Sequence, residues 1–172
     1  MSKRVMKTCL FILAISLGLA GNVGADYTWY SYGGHEYAVP YNYLTWTAAE
    51  AEAVSLGGHL ASINDAAENI WVLSAFNLNF CNWIGLNRVG ENWVWSSGEP
   101  VNYTNWISGY PVEALGNYGN LYSPFTGAWI NTSGDSGQNF IIERAAPVPL
   151  PSTLLLLGSG LAGLAAWRRR RG

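Results

Sequence analysis

Two histidines, one cysteine and eleven carboxylates are the reactive side chains between Asp26 and Arg144. His59 stands in the turn-like string Gly57-Gly58-His59-Leu60 and is expected to be packed, while His35 follows Gly33-Gly34 and is expected at the surface. No serine sits in a nucleophile elbow with a histidine and an acid to follow, and no Cys/His spacing suits a structural or catalytic zinc. Glutamate pairs exist, but the separation that would make two of them a glycosidase's acid and base is a three-dimensional quantity. The sequence therefore reads as that of a non-enzyme. Hard oxygen donors are better represented. Calcium takes roughly six to eight oxygen ligands, and Glu113, Asn117, Asn120, Asn131 and Asp135 could contribute, with Glu113, Asn131 and Asp135 the candidate metal ligands. The competing reading is plainer: Asn and Asp serve the turns of a wet loop without any metal. Cys81 reads as a buried, inert thiol beside Trp83; the alternative is an intermolecular bridge in an oxidising compartment.

The elements that must position these groups follow from periodicity and turn chemistry. Tyr27–Tyr32 and His35–Val39 are expected as strands around the Gly33-Gly34 turn. Thr47-Ala48-Ala49-Glu50 has the pattern of a capping box. It predicts a helix that carries Trp46, Ala49, Ala53 and Leu56 on one side and stops at Gly57. A short strand over Leu60–Ile63 is expected next. A second helix is opened by Asn64 and Asp65, with Glu68 in its first turn and Ile70, Trp71 and Leu73 as buried candidates. Trp83–Leu86, Trp93–Trp95, Gly127–Asn131 and Asn139–Glu143 read as strands. Ser96–Leu121 has little periodicity, several glycines and asparagines, and two prolines. An irregular segment that long in a small domain usually carries a function of its own.

Charge is distributed unevenly. All eleven acids lie between Asp26 and Glu143, where Arg88 and Arg144 are the only bases, so this stretch carries a net −9 although the whole chain carries −2. Such a surface repels phosphate backbones, which argues against nucleic acid as a partner. The remaining bases are Lys3, Arg4 and Lys7 at one end and Arg168, Arg169, Arg170 and Arg171 at the other. Met1–Ala25 reads as a secretory signal peptide: a basic start, an apolar run over Cys9–Ala20, and small residues ending at Ala25, where signal peptidase would cut. Residues 145–172 form a Pro-rich linker, a Gly-containing apolar stretch and the arginine cluster. An apolar run followed by a basic block is a stop-transfer pattern with the arginines on the cytoplasmic side. Gly158-Ser159-Gly160-Leu161-Ala162-Gly163 matches the GxGxxG spacing of dinucleotide-binding turns, but it lies inside the apolar run rather than between a strand and a helix.

The C-terminal arrangement resembles the PEP-CTERM tail recognised by exosortases. Val148-Pro149-Leu150-Pro151 stands where that family has a Val-Pro-Glu-Pro-like box, and Leu154-Leu155-Leu156-Leu157-Gly158 and Arg168–Arg171 follow. Leu150 departs from the usual Glu, which keeps an ordinary single-pass membrane anchor open as the alternative. The resemblance implies a Gram-negative bacterium, transient membrane insertion through this segment, processing by exosortase, and a secreted or cell-surface destination. The residues implicated in processing are Ala25, Val148, Pro149, Pro151, Arg168, Arg169, Arg170 and Arg171.

The domain at residues 26–144 resembles the C-type lectin-like domain over nearly all of His35–Glu143. The motifs, in order, are Trp46…Ala49-Glu50-Ala51, Gly57-Gly58-His59-Leu60-Ala61-Ser62-Ile63, Glu68, Trp83-Ile84-Gly85-Leu86, Trp93-Val94-Trp95-Ser96-Ser97-Gly98-Glu99-Pro100, Tyr103-Thr104-Asn105-Trp106 and Phe140-Ile141-Ile142-Glu143. The resemblance implies an α+β fold: two helices, small antiparallel sheets and a long irregular loop that meets ligand. The family's disulfide between the first helix and the last strand would join positions 54 and 142. Val54 and Ile142 stand there, and the pair is expected to pack where the bridge would be. The loop disulfide is absent too. Tyr110-Pro111-Val112 occupies the place of the calcium-binding triplet and Trp129-Ile130-Asn131 that of Trp-Asn-Asp. Glu99-Pro100-Val101 belongs to the strand-end motif and is no substitute. The sugar-bridging calcium is therefore expected to be lost and no cofactor is expected, although a rearranged calcium site stays open.

Two functions follow. In the first, the long loop engages an extracellular glycan, such as the organism's own polysaccharide, through Tyr110, Glu113, Asn117, Tyr118, Asn120, Tyr122 and Asn131; aromatic faces beside amides suit sugar rings. Trp106 and Trp129 match core positions of the family, so the tyrosines are the better surface candidates. In the second, the protein is a structural or protein-binding component of the envelope or extracellular matrix, without sugar specificity.

Overall fold

In the computed structural model, residues 27–40, 42–78, 80–122 and 127–148 are described. The expected signal peptide with Ala25, and the tail residues Pro149, Pro151 and Arg168–Arg171, lie outside them. The elements in chain order are β1 (Tyr30–Tyr32), β2 (His35–Ala38), α1 (Trp46–Ser55), β3 (His59–Leu60), α2 (Ala66–Phe76), β4 (Cys81–Val89), β5 (Asn92–Trp95), a 3-10 turn (Glu113–Leu115), β6 (Tyr118–Tyr122), β7 (Ala128–Thr132), β8 (Asn139–Phe140) and β9 (Ile142–Ala145).

Gly33 and Gly34, at φ 58° and 90°, make the first hairpin, a conformation open to glycine at little steric cost. That hairpin joins the C-terminal strand and β3 in one sheet of order β1-β2-β9-β3. Arg144 fastens it: the guanidinium donates twice to Glu36 and lies 3.6 Å over the Trp29 ring. The second sheet has the order β5-β4-β6-β7, with β8 pairing parallel to β4. The segment expected as a single strand, Asn139–Glu143, is thus two strands in two sheets. The break at Ile141 lets Ala61 N–H donate to Ile141 C=O, and Ile141 N–H to Trp83 C=O.

The first helix is capped two residues earlier than the capping-box pattern suggests. Thr45, not Thr47, is its N-cap and accepts from Ala48 N–H. Glu50 is thereby released from capping. It accepts from Leu60 N–H and Ser96 Oγ and lies 2.6 Å from His59 Nδ1, joining α1 to β3 and the end of β5. In α2, Asp65 caps Glu68 N–H, and the Glu68 carboxylate accepts from Asn64 N–H. Ile70 is exposed, contrary to expectation, and Trp71 and Leu73 are half-buried. The helix is rotated so that Glu68, Asn69 and Val72 face inward.

The core is aromatic. Trp95 and Trp129 are buried among Ile63, Ile84, Leu86, Leu121 and Ile141, and Trp83 is buried in a second cluster with Trp46, Leu60, Phe140 and Ile142. Each such side chain contributes on the order of 2–3 kcal/mol by leaving water. The expected Val54–Ile142 contact does not form. Val54 is 52% exposed, whereas Ile142 is buried against Trp46, Ala49, Ala53 and Leu60. Ala53, one residue earlier on the helix, faces the strand instead.

Tyr118–Tyr122 is a strand in the middle of the second sheet, not the end of a long loop. Gly119 makes this possible. A Cβ at that position would stand 2.8 Å from Leu86 Cβ. The irregular segment proper runs from 96 to 117.

Candidate functional site

The irregular segment is held by polar side chains from the sheet beneath it. Asn131, buried on β7, uses its whole amide on the loop. Its Oδ1 accepts from Val112 N–H (2.8 Å), and its Nδ2 donates to Val112 C=O (2.7 Å) and Gly116 C=O (2.6 Å). Lower down, Trp129 N–H donates to Asn105 C=O, Ile107 N–H to Trp129 C=O, and Asn105 Nδ2 to Gly127 C=O. Trp129 is the pillar of this region. Its Nε1 donates to buried Asn69, and Trp95, Tyr103 and Trp106 meet its ring edge-on at centroid distances of 5.6 to 5.9 Å.

At the outer end of the segment, Arg88 from β4 reaches Glu113 at 3.0 Å. The Arg88 side chain is 19% exposed and Glu113 is 83% exposed, so the pair stands between packing and solvent. Glu91, Trp93 and Pro111 complete a shallow depression of about 170 Å³ around them. Trp93 packs on Trp106, with centroids 4.9 Å apart. The Tyr110–Pro111 peptide bond is cis.

The seven candidate ligand residues are therefore not brought together as one surface. Tyr110, Glu113 and Asn117 stay on the outer segment, with Tyr110 half-buried and the other two exposed. Tyr118 is half-buried, its ring tilted against Trp46 with centroids 4.6 Å apart, away from the role given to it as a surface aromatic. Asn120 is buried and donates to Thr132 Oγ1, and Asn131 is spent on the loop. Tyr122 is half-buried at the far end of β6. Tyr118, Asn120 and Tyr122, each two residues apart, share one face of β6, an inner strand of its sheet, and that face is packed: Asn120 is buried and the two tyrosines are half-buried. As metal candidates, Glu113 is engaged by Arg88, Asn131 by the backbone, and Asp135 is exposed in the turn after β7. Among the described residues no three acids, histidines or cysteines gather around a point. Asn131 Oδ1 does with a backbone N–H what an oxygen ligand would do with a cation: it anchors the loop.

Arg88 and Trp93 were missed as site residues. The available signal was charge, since Arg88 is one of only two bases in the acidic stretch. The histidines do not divide into a packed His59 and a surface His35 as expected: each is partly covered by a carboxylate partner. His59 is half-exposed against Glu50, and His35 is half-exposed with Nδ1 2.6 Å from Glu143 Oε1. Cys81 is half-buried at the edge where β4 meets Tyr122, and burial pushes its thiol pKa up.

A second polar cluster lies inside the domain. Tyr37 Oη is 2.6 Å from Glu68 Oε1 and 3.0 Å from Glu143 Oε1, and all three residues are buried. Ser62 N–H donates to the second oxygen of Glu143. One phenolic proton faces two carboxylates, so burial and mutual repulsion favour a proton on the pair. Burial first, with the Glu68 charge adding to it, raises Glu143 to about 7, and burial likewise lifts Glu68. The cluster ties β2, α2 and β9 together from within.

Comparison with known families matches the Lectin C-type domain over residues 42–141 and the PEP-CTERM protein-sorting motif over residues 147–171. Among sequences, a subunit of the snaclec coagulation factor IX/factor X-binding protein of Trimeresurus stejnegeri is 38% identical over 119 residues, covering 61% of this chain and 77% of its own. Lectin BRA-3 of Megabalanus rosa is 30% identical over 125 residues, covering 67% and 74%. Among solved structures, a calcium-independent type II antifreeze protein superposes with a TM-score of 0.65 at 26% identity, covering 69% of this chain and 92% of its own.

Proposed function

The chain belongs to the C-type lectin domain family and carries a PEP-CTERM sorting motif, and from that premise we propose that it is a bacterial extracellular lectin whose outer loop binds carbohydrate without a bridging calcium ion. The domain itself is a non-enzymatic ligand-binding module of an exported, surface-sorted protein. Among the described residues no helix is long and apolar enough to cross a membrane.

The observation that carries the reading is the use of Asn131. With its amide fixed to Val112 and Gly116, the loop is ordered by the chain itself, and Tyr110, Glu113, Asn117, Arg88 and Trp93 are presented on a firm base. A depression with an aromatic wall and an Arg–Glu pair suits polar, hydroxyl-rich ligands, because each charged group can still give or take further hydrogen bonds. The expected source is the organism's own polysaccharide, reached after signal peptidase and exosortase have processed the tails. Pull-down on extracellular polysaccharide, with and without EDTA, tests the reading. Saturable binding that survives EDTA and is lost in Arg88→Ala supports it; EDTA-sensitive binding refutes the calcium-free part. A second reading, docking of an envelope protein, is favoured by the likeness to a relative described as a factor-binding protein. Binding to envelope proteins with none to polysaccharide would select it.

A further inference from the structure

Away from the outer loop, a trough runs along the side of the domain where the C-terminal end of α2 meets β1 and β8. It consists of two clefts of about 770 and 240 Å³ that share Val39, Phe76 and Asn77 in their walls. Ligand sites generally have volumes of roughly 300–1,000 Å³, so the larger cleft alone is of that size. The trough has no residue in common with the depression at Arg88 and Glu113.

Its rim is aromatic and open. Phe80 is 71% exposed, Tyr43 65% and Tyr30 43%, and Tyr30 is braced by Phe76 at a centroid distance of 5.2 Å. Aromatic rings bordering a concavity are the kind of exposed apolar surface that marks a binding site. Its wall is polar but carries little charge. Asn82 and Asn139 face each other in the β4–β8 pairing and line the smaller cleft. Asn82 is 1% exposed and spends its Nδ2 on Phe80 C=O, while its Oδ1, like that of Asn139, is buried with no donor among the described residues. Among the described residues no charged side chain lines the smaller cleft. The larger has Glu52 as its one charged group among them, already engaged by the Tyr27 hydroxyl.

We propose that this trough is a second binding site and that it takes an uncharged oligosaccharide chain. Flat rings offer stacking area to sugar faces, the Asn82 and Asn139 amides keep the wall of the smaller cleft polar, and the near lack of charge among the described lining residues selects against uronates, phosphates and amines. An acidic domain with a neutral trough would hold a neutral polymer without repelling it. The site does not depend on the outer-loop reading.

The test is calorimetric titration of the full chain with maltoheptaose, cellohexaose and chitohexaose, repeated with Phe80→Ala, Tyr43→Ala and Tyr110→Ala. Both aromatic positions are exposed, and an unchanged thermal midpoint confirms that the variants remain folded. At least one oligomer is expected to bind, about three- to tenfold more weakly to each of Phe80→Ala and Tyr43→Ala, as loss of one stacking face predicts. Tyr110→Ala reports separately on the outer loop: the part of the binding that Phe80→Ala and Tyr43→Ala weaken is expected to persist in it. The proposal is overturned if none of the three binds at millimolar concentration, or if binding ignores both aromatic variants. It is also overturned if sedimentation shows a wild-type dimer that Phe80→Ala dissociates, since a second copy then fills the trough. A response to Tyr110→Ala alone would remove the trough while leaving the outer-loop reading standing.

Discussion

Replacing Glu143 with Gln should make the protein's stability much less sensitive to pH. Glu143 is buried, receives Ser62 N–H on one oxygen, and shares Tyr37 Oη with Glu68 on the other, with His35 Nδ1 at 2.6 Å. Burial, with repulsion from Glu68 adding to it, lifts its pKa from 4.5 to about 7; the Ser62 hydrogen bond, His35 and the Tyr37 hydroxyl pull the other way. A folded-state pKa above the unfolded one means that folding takes up a proton. The stability contributed is therefore fully present below pH 4.5 and is lost as the pH climbs through about 7. The full rise is worth on the order of 3 kcal/mol, with a steepest slope of about 1.4 kcal/mol per pH unit. Burial lifts Glu68 in the same direction and steepens the wild-type curve. Glutamine has the same shape, can accept from Ser62 N–H and donate toward Tyr37, and has no proton to exchange. The assay is guanidinium unfolding at half-unit steps from pH 4.5 to 7.5. Wild type should lose stability across this window, and Glu143→Gln should retain only the shallower slope owed to Glu68. A wild-type curve that is flat or rises with pH would falsify the argument, as would a variant with an undiminished slope.

Three other substitutions probe separate parts of the structure. Gly85→Ala should destabilise by about 3 kcal/mol or prevent folding, because the new Cβ would overlap the Leu60 carbonyl oxygen, a backbone atom with nowhere to go; chemical denaturation measures it. Asn131→Ala removes three hydrogen bonds to the outer loop and should cost about 2–3 kcal/mol. It should also open the loop at Val112, seen as faster amide exchange there, while the Trp83 region stays protected. Arg88→Ala should change stability by less than about 1 kcal/mol, since its partner Glu113 is mostly solvated, yet weaken polysaccharide binding. A large stability loss would mean that Arg88 is structural.

The sequence by itself determined most of the elements and which large side chains hold them together. The hairpin at Gly33-Gly34, the two helices, the tryptophan-bearing strands and the net charge of the domain are all local or compositional facts, and so is the sorting motif. What tertiary structure decided was phase and partnership. Thr45 rather than Thr47 caps α1, which frees Glu50 to tie three elements together. Ala53 rather than Val54 faces Ile142, and Val72 rather than Ile70 faces inward from α2. A shift of one residue on a helix turns a side chain by about 100°, and the propensities of Ala, Val and Ile do not record that angle. The strand Tyr118–Tyr122 was hidden for a related reason. Gly119 and Asn120 are poor strand formers taken alone, and only the closeness of Leu86 makes glycine the residue that fits there. Asn131 could be seen as an oxygen donor in the sequence, but whether its oxygen would meet a cation or the Val112 amide depended on where the loop came back, which only the folded chain settles.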